Sequence, residues 1–382
     1  MVDDISSFFC NATSFYEVNL YHNNFTGTFP KCLANASSLS ALDIQMNKLH
    51  GTLPDTFHRW YLLEALNVNG NQFEGLLPKS LSNCTNFVDL NLGNNQFEDT
   101  FPNWLQNLTE LEILVLRGNK FGALPKAYIQ NFQAMKILDD KVPDDWTYYI
   151  QTGISGSCSY NGETMSEPRY DDSVSVTIKG ANTLFAKIPT VFVIIDLSKN
   201  NFEGNIPDVI IGELHGLKDL NLSHNRLVGH IPHSLGNLTN LESLDLSSNM
   251  LSGKIPSELT NLKFLEALNI SQNQLVGSIP KGKQFDTFSN DSYLENMGLC
   301  GFPLSIQCNS GVPQQQYPPS EDKFGFGWKP VAIGYACGTV LGIGLGSCVF
   351  WIGKPEWLVI IFGGTTTRIK RRNRGNRRAR RT

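Results

Sequence analysis

The residue types that perform catalysis are present in this sequence of 382 residues, but their spacing matches no catalytic or metal-binding motif. The seven histidines are scattered, and none falls in an H-E-x-x-H pair or another metal-ligand spacing. No G-x-S-x-G elbow, P-loop or G-x-G-x-x-G turn before a helix occurs upstream of residue 330. Aspartates such as Asp196 and Asp245 recur, and a solvated strand face explains them. We therefore predict a protein that is not an enzyme and uses no metal or cofactor.

Asparagine is the polar residue with a regular spacing. Residues 192–280 contain four similar lines, FVIIDLSKNNFEGNIP, LKDLNLSHNRLVGHIP, LESLDLSSNMLSGKIP and LEALNISQNQLVGSIP. They share the pattern L-x-x-L-x-L-x-x-N-x-L-x-G-x-I-P, with Asn200, Asn225, Asn249 and Asn273 at steps of 25, 24 and 24 residues. A fixed period in the twenties with this pattern indicates a leucine-rich-repeat solenoid.

Each repeat is expected to supply one short strand and one turn. Leu244 and Leu246 alternate with Asp245 and Ser247, which predicts a strand with one buried face. Stacked repeats would form a parallel sheet on the concave face, with irregular or 3-10 structure on the convex side, in the α/β class. We expect each repeated asparagine to bond backbone groups inside the coil, one repeat above another. Gly229 would permit the turn that follows.

Five earlier repeats precede an interruption. Their asparagines are Asn23, Asn47, Asn71, Asn95 and Asn119, all at steps of 24 residues, whereas the next one, Asn200, comes 81 residues later. The interruption is rich in acidic, aromatic and small residues, and its run SVSVTIKG predicts a strand of a hairpin. A long insertion in a compact array is usually functional or disordered. We predict an ordered island that binds something, and a flexible spacer is the alternative.

The composition divides the chain further. The predicted segments are repeats at 1–132, an island at 133–190, repeats at 191–280, a C-terminal cap at 281–308, an acidic linker at 309–329, a transmembrane helix at 330–353 and a basic tail at 354–382. The sequence begins within a repeat and without a signal peptide, so we expect it to be part of a longer chain.

Asparagine sequons and cysteines indicate an extracellular compartment. Nine N-x-S/T sequons all precede residue 330, at Asn11, Asn24, Asn35, Asn83, Asn107, Asn221, Asn237, Asn269 and Asn290. Cys300 and Cys308 lie where the repeats stop, which predicts a disulfide that closes the cap. A second disulfide, between Cys10 and Cys32, is geometrically allowed, but connectivity does not follow from sequence. Cys84 is expected to be a buried free thiol, and the pairing of Cys158 is left open.

Residues 330–353, PVAIGYACGTVLGIGLGSCVFWIG, carry no charge. As a helix this segment would extend about 36 Å, enough for a hydrocarbon core of about 30 Å. Gly334, Gly338, Gly342 and Gly346 fall at four-residue steps and would form a groove for a second helix.

The charge is divided between the two ends of the chain. From Lys354 onward there are ten Lys or Arg and one acidic residue, a net charge of +9, whereas the preceding residues have 21 basic and 34 acidic residues, a net charge of −13. Beside a transmembrane helix, the positive-inside rule explains a basic tail better than nucleic-acid binding does. The tail is too short for a kinase domain.

This layout resembles the plant receptor-like proteins of the Cf and Ve disease-resistance type. The resemblance rests on the repeats, the island before four final repeats, the cap KGKQFDTFSNDSYLENMGLCGFPL, the acidic SEDKFGFGW, the glycine-spaced span and the basic tail. It implies a single-pass plasma-membrane protein that senses an extracellular peptide, protein or glycan. Its implied partners are a leucine-rich-repeat receptor kinase, through the transmembrane glycines, and a somatic-embryogenesis-type co-receptor kinase.

Candidate contact residues follow from the strand positions expected to be exposed. For the ligand these are, together with aromatic residues of the island, Asn19, Tyr21, His22, Asp43, Gln45, Asn67, Asn69, Asn91, Arg117, Trp146, Tyr148, Tyr149 and Tyr170. The second block has a plainer face, which suits a common co-receptor; its candidates are Ser198, Lys199, Asn221, His224, Ser247, Ser271 and Gln272.

Two other functions fit parts of the sequence. A developmental receptor for endogenous peptides would have the same architecture. A wall-bound inhibitor of microbial hydrolases would share the repeats, but such inhibitors are soluble, and the segment at 330–353 argues against this function.

Overall fold

The computed structural model describes residues 15–30, 33, 37–124, 132–136, 151–152, 157–160, 163–166, 170–171, 174–178, 181–185 and 192–308. These residues fall in one compact unit, Met1–Ser310. Across them no helix has the length and apolar character that a membrane crossing needs. The predicted span at 330–353, with its four glycines, lies outside the described residues.

A nine-stranded parallel sheet forms the concave face of the solenoid. Its strands, in spatial and chain order, are Glu17–Asn19, Ala41–Asp43, Ala65–Asn67, Asp89–Asn91, Ile113–Val115, Ile194–Asp196, Asp219–Asn221, Ser243–Asp245 and Ala267–Asn269. The middle residue of each strand is apolar and lies in the core, as the alternation of Leu244 and Leu246 with polar residues predicted.

Further parallel sheets follow the repeated asparagines, which the sequence did not predict. One contains Thr26–Gly27, Lys48–Gly51, Gln72–Gly75 and Gln96–Phe97. The other contains Glu203–Asn205, Arg226–His230, Met250–Gly253, Gln274–Ser278 and Gly298–Cys300. The glycine of the G-x-I-P motif lies at or next to the end of the strands that contain it and has a positive φ, for example +80° at Gly229.

Short helical turns complete the coil. The 3-10 helices are Phe57–Arg59, Lys79–Asn83, Asn103–Asn107, His233–Asn237, Ser257–Asn261, Lys283–Asp286 and Asn290–Ser292, and the α-helices are Gln133–Lys136 and Asp208–Ile211. Leucines from every repeat form one hydrophobic core with the phenylalanines. The rings of Phe73 and Phe97 stack with centroids 6.4 Å apart, as do those of Phe121 and Phe202 at 6.3 Å.

The repeated asparagines form the internal ladder that their spacing predicted. Asn71 Nδ2 donates hydrogen bonds to the carbonyl oxygens of Ile44 in the preceding repeat (2.9 Å) and Val68 in its own (3.1 Å). Its Oδ1 accepts the backbone N–H of Leu49 at 3.0 Å. Since each asparagine bonds both its own repeat and the preceding one, it fixes the distance and register between two coils.

The solenoid continues directly across the insertion. Strand Ile194–Asp196 pairs in parallel with Ile113–Val115, although 78 residues separate them. Asn200 Nδ2 donates to the carbonyl oxygen of Leu116 at 3.0 Å, and its Oδ1 accepts the N–H of Phe121 at 3.1 Å. The two blocks of repeats are therefore one scaffold, and the insertion leaves and rejoins it at a single repeat.

The helix Gln133–Lys136 belongs to this scaffold. Met135 is fully buried, and its carbonyl oxygen accepts the N–H of Gly216 at 2.9 Å. On the other side, the N–H of Ala134 donates to the carbonyl oxygen of Thr109 at 2.9 Å. The helix thus occupies the place of a 3-10 turn between two repeats, and the solenoid extends to Lys136, past the island boundary predicted at 133.

Within the island, three antiparallel strand pairs are described. They are Gln151–Thr152 with Tyr170–Asp171, Ser157–Tyr160 with Glu163–Ser166, and Val174–Ile178 with Ala181–Phe185. The last pair is the hairpin that the run SVSVTIKG predicted. Trp146, Tyr148 and Tyr149 lie outside the described residues.

The cap closes the solenoid with an additional step of the ladder. Asn296 Oδ1 accepts the N–H of Leu275 at 3.0 Å, and its Nδ2 donates to the carbonyl oxygen of Ile270 at 3.0 Å. Cys300 and Cys308 form the disulfide that their position predicted. Cys10 and Cys32 lie outside the described residues.

Candidate ligand-binding surface

The concave face presents the first and third residue of each strand, because the middle residue points into the core. The parallel register aligns the third residues in one column, Asn19, Asp43, Asn67, Asn91, Val115, Asp196, Asn221, Asp245 and Asn269. We call these residues the Asx column, since eight of the nine are aspartate or asparagine.

The Asx column has a structural role that the sequence did not reveal. In each of those eight residues the side-chain oxygen accepts the backbone N–H two positions further along, at 2.9–3.2 Å. This bond turns the chain at the end of the strand, as in an Asx turn. Val115 cannot make it.

Most of the predicted ligand contacts in the first block are not exposed, and that expectation was wrong for them. Asp43, Gln45, Asn67, Asn69, Asn91 and Arg117 are each at most 8% accessible. Neighbouring strands place side chains above and below every concave position, and the Asx bonds hold the short side chains against the backbone. Asn19 and His22 are exposed and Tyr21 is half-exposed, because they lie in the first described repeat.

The predicted co-receptor contacts of the second block divide in the same way. Ser198, Asn221, Ser247 and Ser271 are buried, which contradicts their predicted exposure. Lys199, His224 and Gln272 are exposed, and each directly precedes a ladder asparagine. All three have φ between +52° and +55°, the left-handed region, so the turn points their side chains outward.

An apolar patch interrupts the concave face where the insertion meets the solenoid. Ile113, Val115 and Ile194 occupy concave positions on the two adjoining strands and are fully buried. Arg117 lies two residues beyond Val115, and its positive charge acts on the carboxylate of Asp196. The centre of the concave face therefore differs chemically from its polar ends.

Buried carboxylates give the second block an unusual electrostatic character. Burial raises the pKa of Asp196, and this effect is partly offset by hydrogen bonds from Ser198 and by Arg117. Burial also raises the pKa of Asp219 well above its ordinary value, and the carboxylates of Asp196 and Asp245 act in the same direction. In the folded protein Asp219 therefore keeps its proton to a higher pH than a solvated aspartate does.

The described residues contain no cluster of histidine, cysteine or acidic side chains suited to a metal ion. Cys84 is a buried free thiol, as predicted, and burial raises the pKa of its thiol to about 12. At this pKa the thiol is protonated at neutral pH and does not act as a nucleophile. The chemistry that the described surface offers is recognition by hydrogen bonds, ion pairs and apolar contact.

The sequons differ in accessibility. Asn24, Asn83, Asn107, Asn237 and Asn290 are exposed. Asn221 is buried, and its Oδ1 accepts both the N–H and the O–H of Ser223. Asn269 is half-buried and makes the same two bonds with Ser271. Asn11 and Asn35 lie outside the described residues. The asparagine and serine of these two concave-face sequons, at Asn221 and Asn269, therefore have a structural role in the Asx turn.

Comparison with known proteins identifies these repeats as leucine-rich repeats. The leucine-rich-repeat families match residues 193–251 and 216–275, and residues 62–84 and 86–108. The chain is 50% identical over 204 residues to receptor-like protein 9DC3 of Solanum pimpinellifolium, which covers 51% of the chain and 24% of that protein. It is 52% identical over 191 residues to a receptor-like protein Cf-9 homolog of Solanum lycopersicum, covering 48% and 22%. The chain thus spans about a quarter of the length of these relatives.

A solved structure shares the fold. The Arabidopsis receptor kinase HAESA, in complex with the peptide hormone IDA and the co-receptor SERK1, superposes with a TM-score of 0.55 at 28% identity. The match covers 76% of the chain and 39% of that receptor.

Proposed function

The chain is a leucine-rich-repeat protein of the plant receptor-like, Cf-9 type, and we propose that it senses an extracellular ligand at the cell surface in plant defence. In this proposal the solenoid and island bind the ligand, residues 330–353 cross the plasma membrane once, and the basic tail lies in the cytoplasm. Signalling in this proposal passes through partner receptor kinases.

The similarity to receptor-like proteins of the Cf-9 type carries this proposal. About half of the aligned residues are identical, and the alignment covers about half of the chain. The geometry supports it in two ways. A single solenoid displays the insertion at one repeat, as a recognition element on a rigid support. The described surface also contains exposed polar positions and no metal-binding cluster.

We assign the contacts accordingly. Ligand recognition falls to the island, with Trp146, Tyr148, Tyr149 and Tyr170, and to the exposed residues of the first described repeat. A somatic-embryogenesis-type co-receptor kinase docks at Lys199, His224 and Gln272. The structure of HAESA with both a peptide and SERK1 supports this type of arrangement, since that receptor shares the solenoid.

Association with a receptor kinase is tested by purification from leaf membranes. The tagged full chain is expected to recover a leucine-rich-repeat receptor kinase, and the double substitution Gly338→Ile with Gly342→Ile is expected to abolish recovery. The larger side chains would fill the groove that a second helix needs.

Gly344→Ile is the matched control, because Gly344 lies in the same segment but off the four-residue spacing. It should leave recovery unchanged. If no receptor kinase accompanies the wild-type chain, or if the double variant retains it, the proposed mechanism is wrong.

A developmental peptide receptor is the second candidate, favoured by the similarity to a receptor solved with a peptide hormone. Transcript measurements separate the two functions. Induction by pathogen extract supports defence, whereas expression confined to meristems supports the developmental function.

A further inference from the structure

Three aspartates lie together on the concave face of the second block of repeats. Asp196 and Asp245 belong to the Asx column, where the strand register places Asn221 between them. Asp219 precedes Asn221 by two residues on the same strand and therefore lies diagonal to both aspartates. With strands about 4.8 Å apart and a rise of about 3.3 Å per residue, its Cα is about 8 Å from each of theirs. We call these three residues the aspartate triangle.

Folding does not account for the charge of the aspartate triangle. An asparagine in the Asx column makes the same turn, as Asn221 does by accepting the N–H of Ser223 at 3.0 Å. Asp196 and Asp245 accept the equivalent N–H at 3.0 and 2.9 Å and add a negative charge that the turn does not use. Asp219 makes no such bond.

Two of the three carboxylates are buried with oxygens that no described residue engages. Asp219 is 2% accessible, and neither of its oxygens accepts a hydrogen bond from the described part of the chain. The hydroxyl of Ser243 lowers its pKa in part but makes no hydrogen bond of normal geometry to it. Asp196 is fully buried, and its Oδ2 also accepts no bond from a described residue. Burial of a carboxylate without donors costs free energy, and a ligand that brings donors removes this cost.

The charges that act on Asp219 are negative. Burial raises its pKa most, and three neighbouring carboxylates raise it further, those of Asp196, Asp245 and Glu242. The cation that precedes it in the chain, Lys218, is held by Glu242 at 2.7 Å between Nζ and Oε1. Asp219 is therefore set in a negative environment that favours a cation from outside.

Three other cations lie near the triangle without occupying it. Arg117 acts on Asp196 from the preceding repeat, on the side away from Asp219. Lys199 and His224 are exposed at left-handed turn positions that direct their side chains outward. Since Arg117 offsets one of three carboxylates, the triangle keeps a net negative charge when all three are ionised.

A guanidinium group matches this site better than other cations do. It is planar and has five N–H donors that point to several sides, so it can pair with carboxylates on adjoining strands. A lysine ammonium is a compact charge with three donors. A calcium ion needs about six to eight oxygens at about 2.3–2.6 Å, and the described residues hold no cluster suited to a metal ion.

The concave face opens beside the triangle on the side of the cap. Asp245, Ala267 and Asn269 are half-buried, and Glu266 is exposed, whereas the concave residues of the preceding strand are buried. An extended chain that lies along the last repeats can therefore direct one long side chain past Asp245 toward the buried carboxylates.

We propose that the aspartate triangle binds the guanidinium of an arginine in an extracellular peptide or protein ligand, with Asp219 as the central contact and Asp196 and Asp245 on either side. The inference rests on the proposed function, which supplies such a ligand. It adds a ligand contact on the second block, where the candidates above serve the co-receptor.

Binding is tested with the full chain, purified from plant membranes in detergent and immobilised, and with the capped tripeptide Gly-Arg-Gly as the probe. Surface plasmon resonance measures the dissociation constant. We expect saturable binding that weakens as salt rises, because charge pairs are screened. The tripeptide Gly-Lys-Gly should bind more weakly, and Gly-citrulline-Gly, which has the shape of the arginine tripeptide without its charge, should not bind.

Asp219→Asn is expected to weaken binding of the arginine tripeptide about tenfold, because it removes the charge and keeps the shape. Asp196→Asn and Asp245→Asn should also weaken it, while the turn is kept as at Asn221. Asp291→Asn, at an exposed position of the cap, is the matched control and should bind as the wild type does. Since an amide carries no charge to bury, loss of binding in the first variant is not loss of folding.

The proposal is overturned if the wild type does not bind the arginine tripeptide, if Asp219→Asn binds it as tightly as Asp291→Asn, or if the lysine or citrulline tripeptide binds equally well. Displacement by calcium chloride, but not by sodium chloride of equal ionic strength, would assign the triangle to a metal ion and overturn it as well. Recovery of a receptor kinase from leaf membranes does not depend on the tripeptide, so the two experiments fail separately.

Discussion

At the scale of single residues, asparagine and aspartate recur in this protein for two structural reasons before any functional one. The ladder asparagines join consecutive repeats, and the Asx column turns the chain after each strand. The ladder could be predicted, because the 24-residue step from Asn225 to Asn249 places the asparagines at the same position in consecutive coils. The sequence predicts ligand or co-receptor contacts at five members of the Asx column, Asn19, Asp43, Asn67, Asn91 and Asn221, since sequence alternation gives the face of a residue but not its local hydrogen bonds.

Removal of one ladder amide should destabilise the whole array. Asn249 Nδ2 donates to Leu222, Leu246 and Ser247 at 3.0–3.1 Å, and Oδ1 accepts the N–H of Leu227 at 3.0 Å. Asn249→Ala leaves these buried groups without partners, so we expect a loss of about 2–4 kcal/mol in the free energy of unfolding.

Denaturant unfolding measures this loss. Asn201→Ala is the control, because Asn201 is exposed, and its effect should stay within about 0.5 kcal/mol. Equal effects of the two substitutions would contradict the structural role of the ladder.

The buried carboxyl of Asp219 should make stability depend on pH. Its pKa is raised in the folded protein, whereas the unfolded chain has the ordinary value of about 3.9. As pH rises above that value the unfolded chain releases its proton first, so the unfolding free energy falls until pH passes the folded pKa. We therefore expect the protein to be more stable at pH 5 than at pH 7.5.

Asp219→Asn should reduce this dependence and stabilise the protein at pH 7.5, because an amide carries no charge to bury. Unfolding at the two pH values measures both effects, and Asp291→Asn, at an exposed position, is the control. A pH dependence unchanged in Asp219→Asn would show that another group causes it.

At the scale of elements, the 3-10 turns of successive repeats pack more closely than the sequence suggests. A Cβ added at Gly236, in the helix His233–Asn237, would lie 2.5 Å from the carbonyl oxygen of Glu258 in the next turn. Backbone cannot move aside as a side chain does. This glycine therefore sets the distance between two helical turns.

Gly236→Ala is expected to lower the free energy of unfolding by about 1–3 kcal/mol through this overlap. Gly122→Ala is the matched control, because a Cβ there meets only the carbonyl oxygen of Asp99 at 3.8 Å. Thermal unfolding of both variants should show a lower midpoint for the first and little change for the second. A tolerated Gly236→Ala would mean that the turns are less closely packed than described.

The strands of the concave face could be predicted from sequence, and the sheets beyond the asparagines could not. Alternation around Leu244 and Leu246 gives the concave strand directly. The later strands, such as Arg226–His230, contain a glycine with positive φ at or next to their last residue, and in the sequence glycine followed by proline indicates only a turn. Since strand pairing there depends on neighbouring repeats, one repeat read alone does not reveal it.

At the scale of the whole molecule, the two blocks of repeats behave as one solenoid although Asn200 comes 81 residues after Asn119. The sequence predicted both blocks but not their direct contact, because the residues that close the gap are far apart in the chain. The helix Gln133–Lys136 was assigned to the island, although Phe132 and Met135 occupy leucine positions of the core. The Asx column depends on this continuity.

Deletion of residues 137–193 tests that continuity most directly. It joins Lys136 to Ile194 and brings Asn119 and Asn200 to the 24-residue spacing of the other repeats. The bonds between Asn200 and Leu116 and the stacked rings of Phe121 and Phe202 should then form without the insertion. An equally long deletion of residues 125–181 is the control, since it removes the buried Phe132 and Met135 and should melt at a lower temperature.

The measurement is the thermal unfolding of the 137–193 deletion variant, followed by circular dichroism beside the wild type. The account predicts one cooperative transition with a midpoint within about 4 °C of the wild-type value, because the deletion removes no contact of the ladder. Two separate transitions, or a chain that does not fold, would contradict a single solenoid that runs through the insertion.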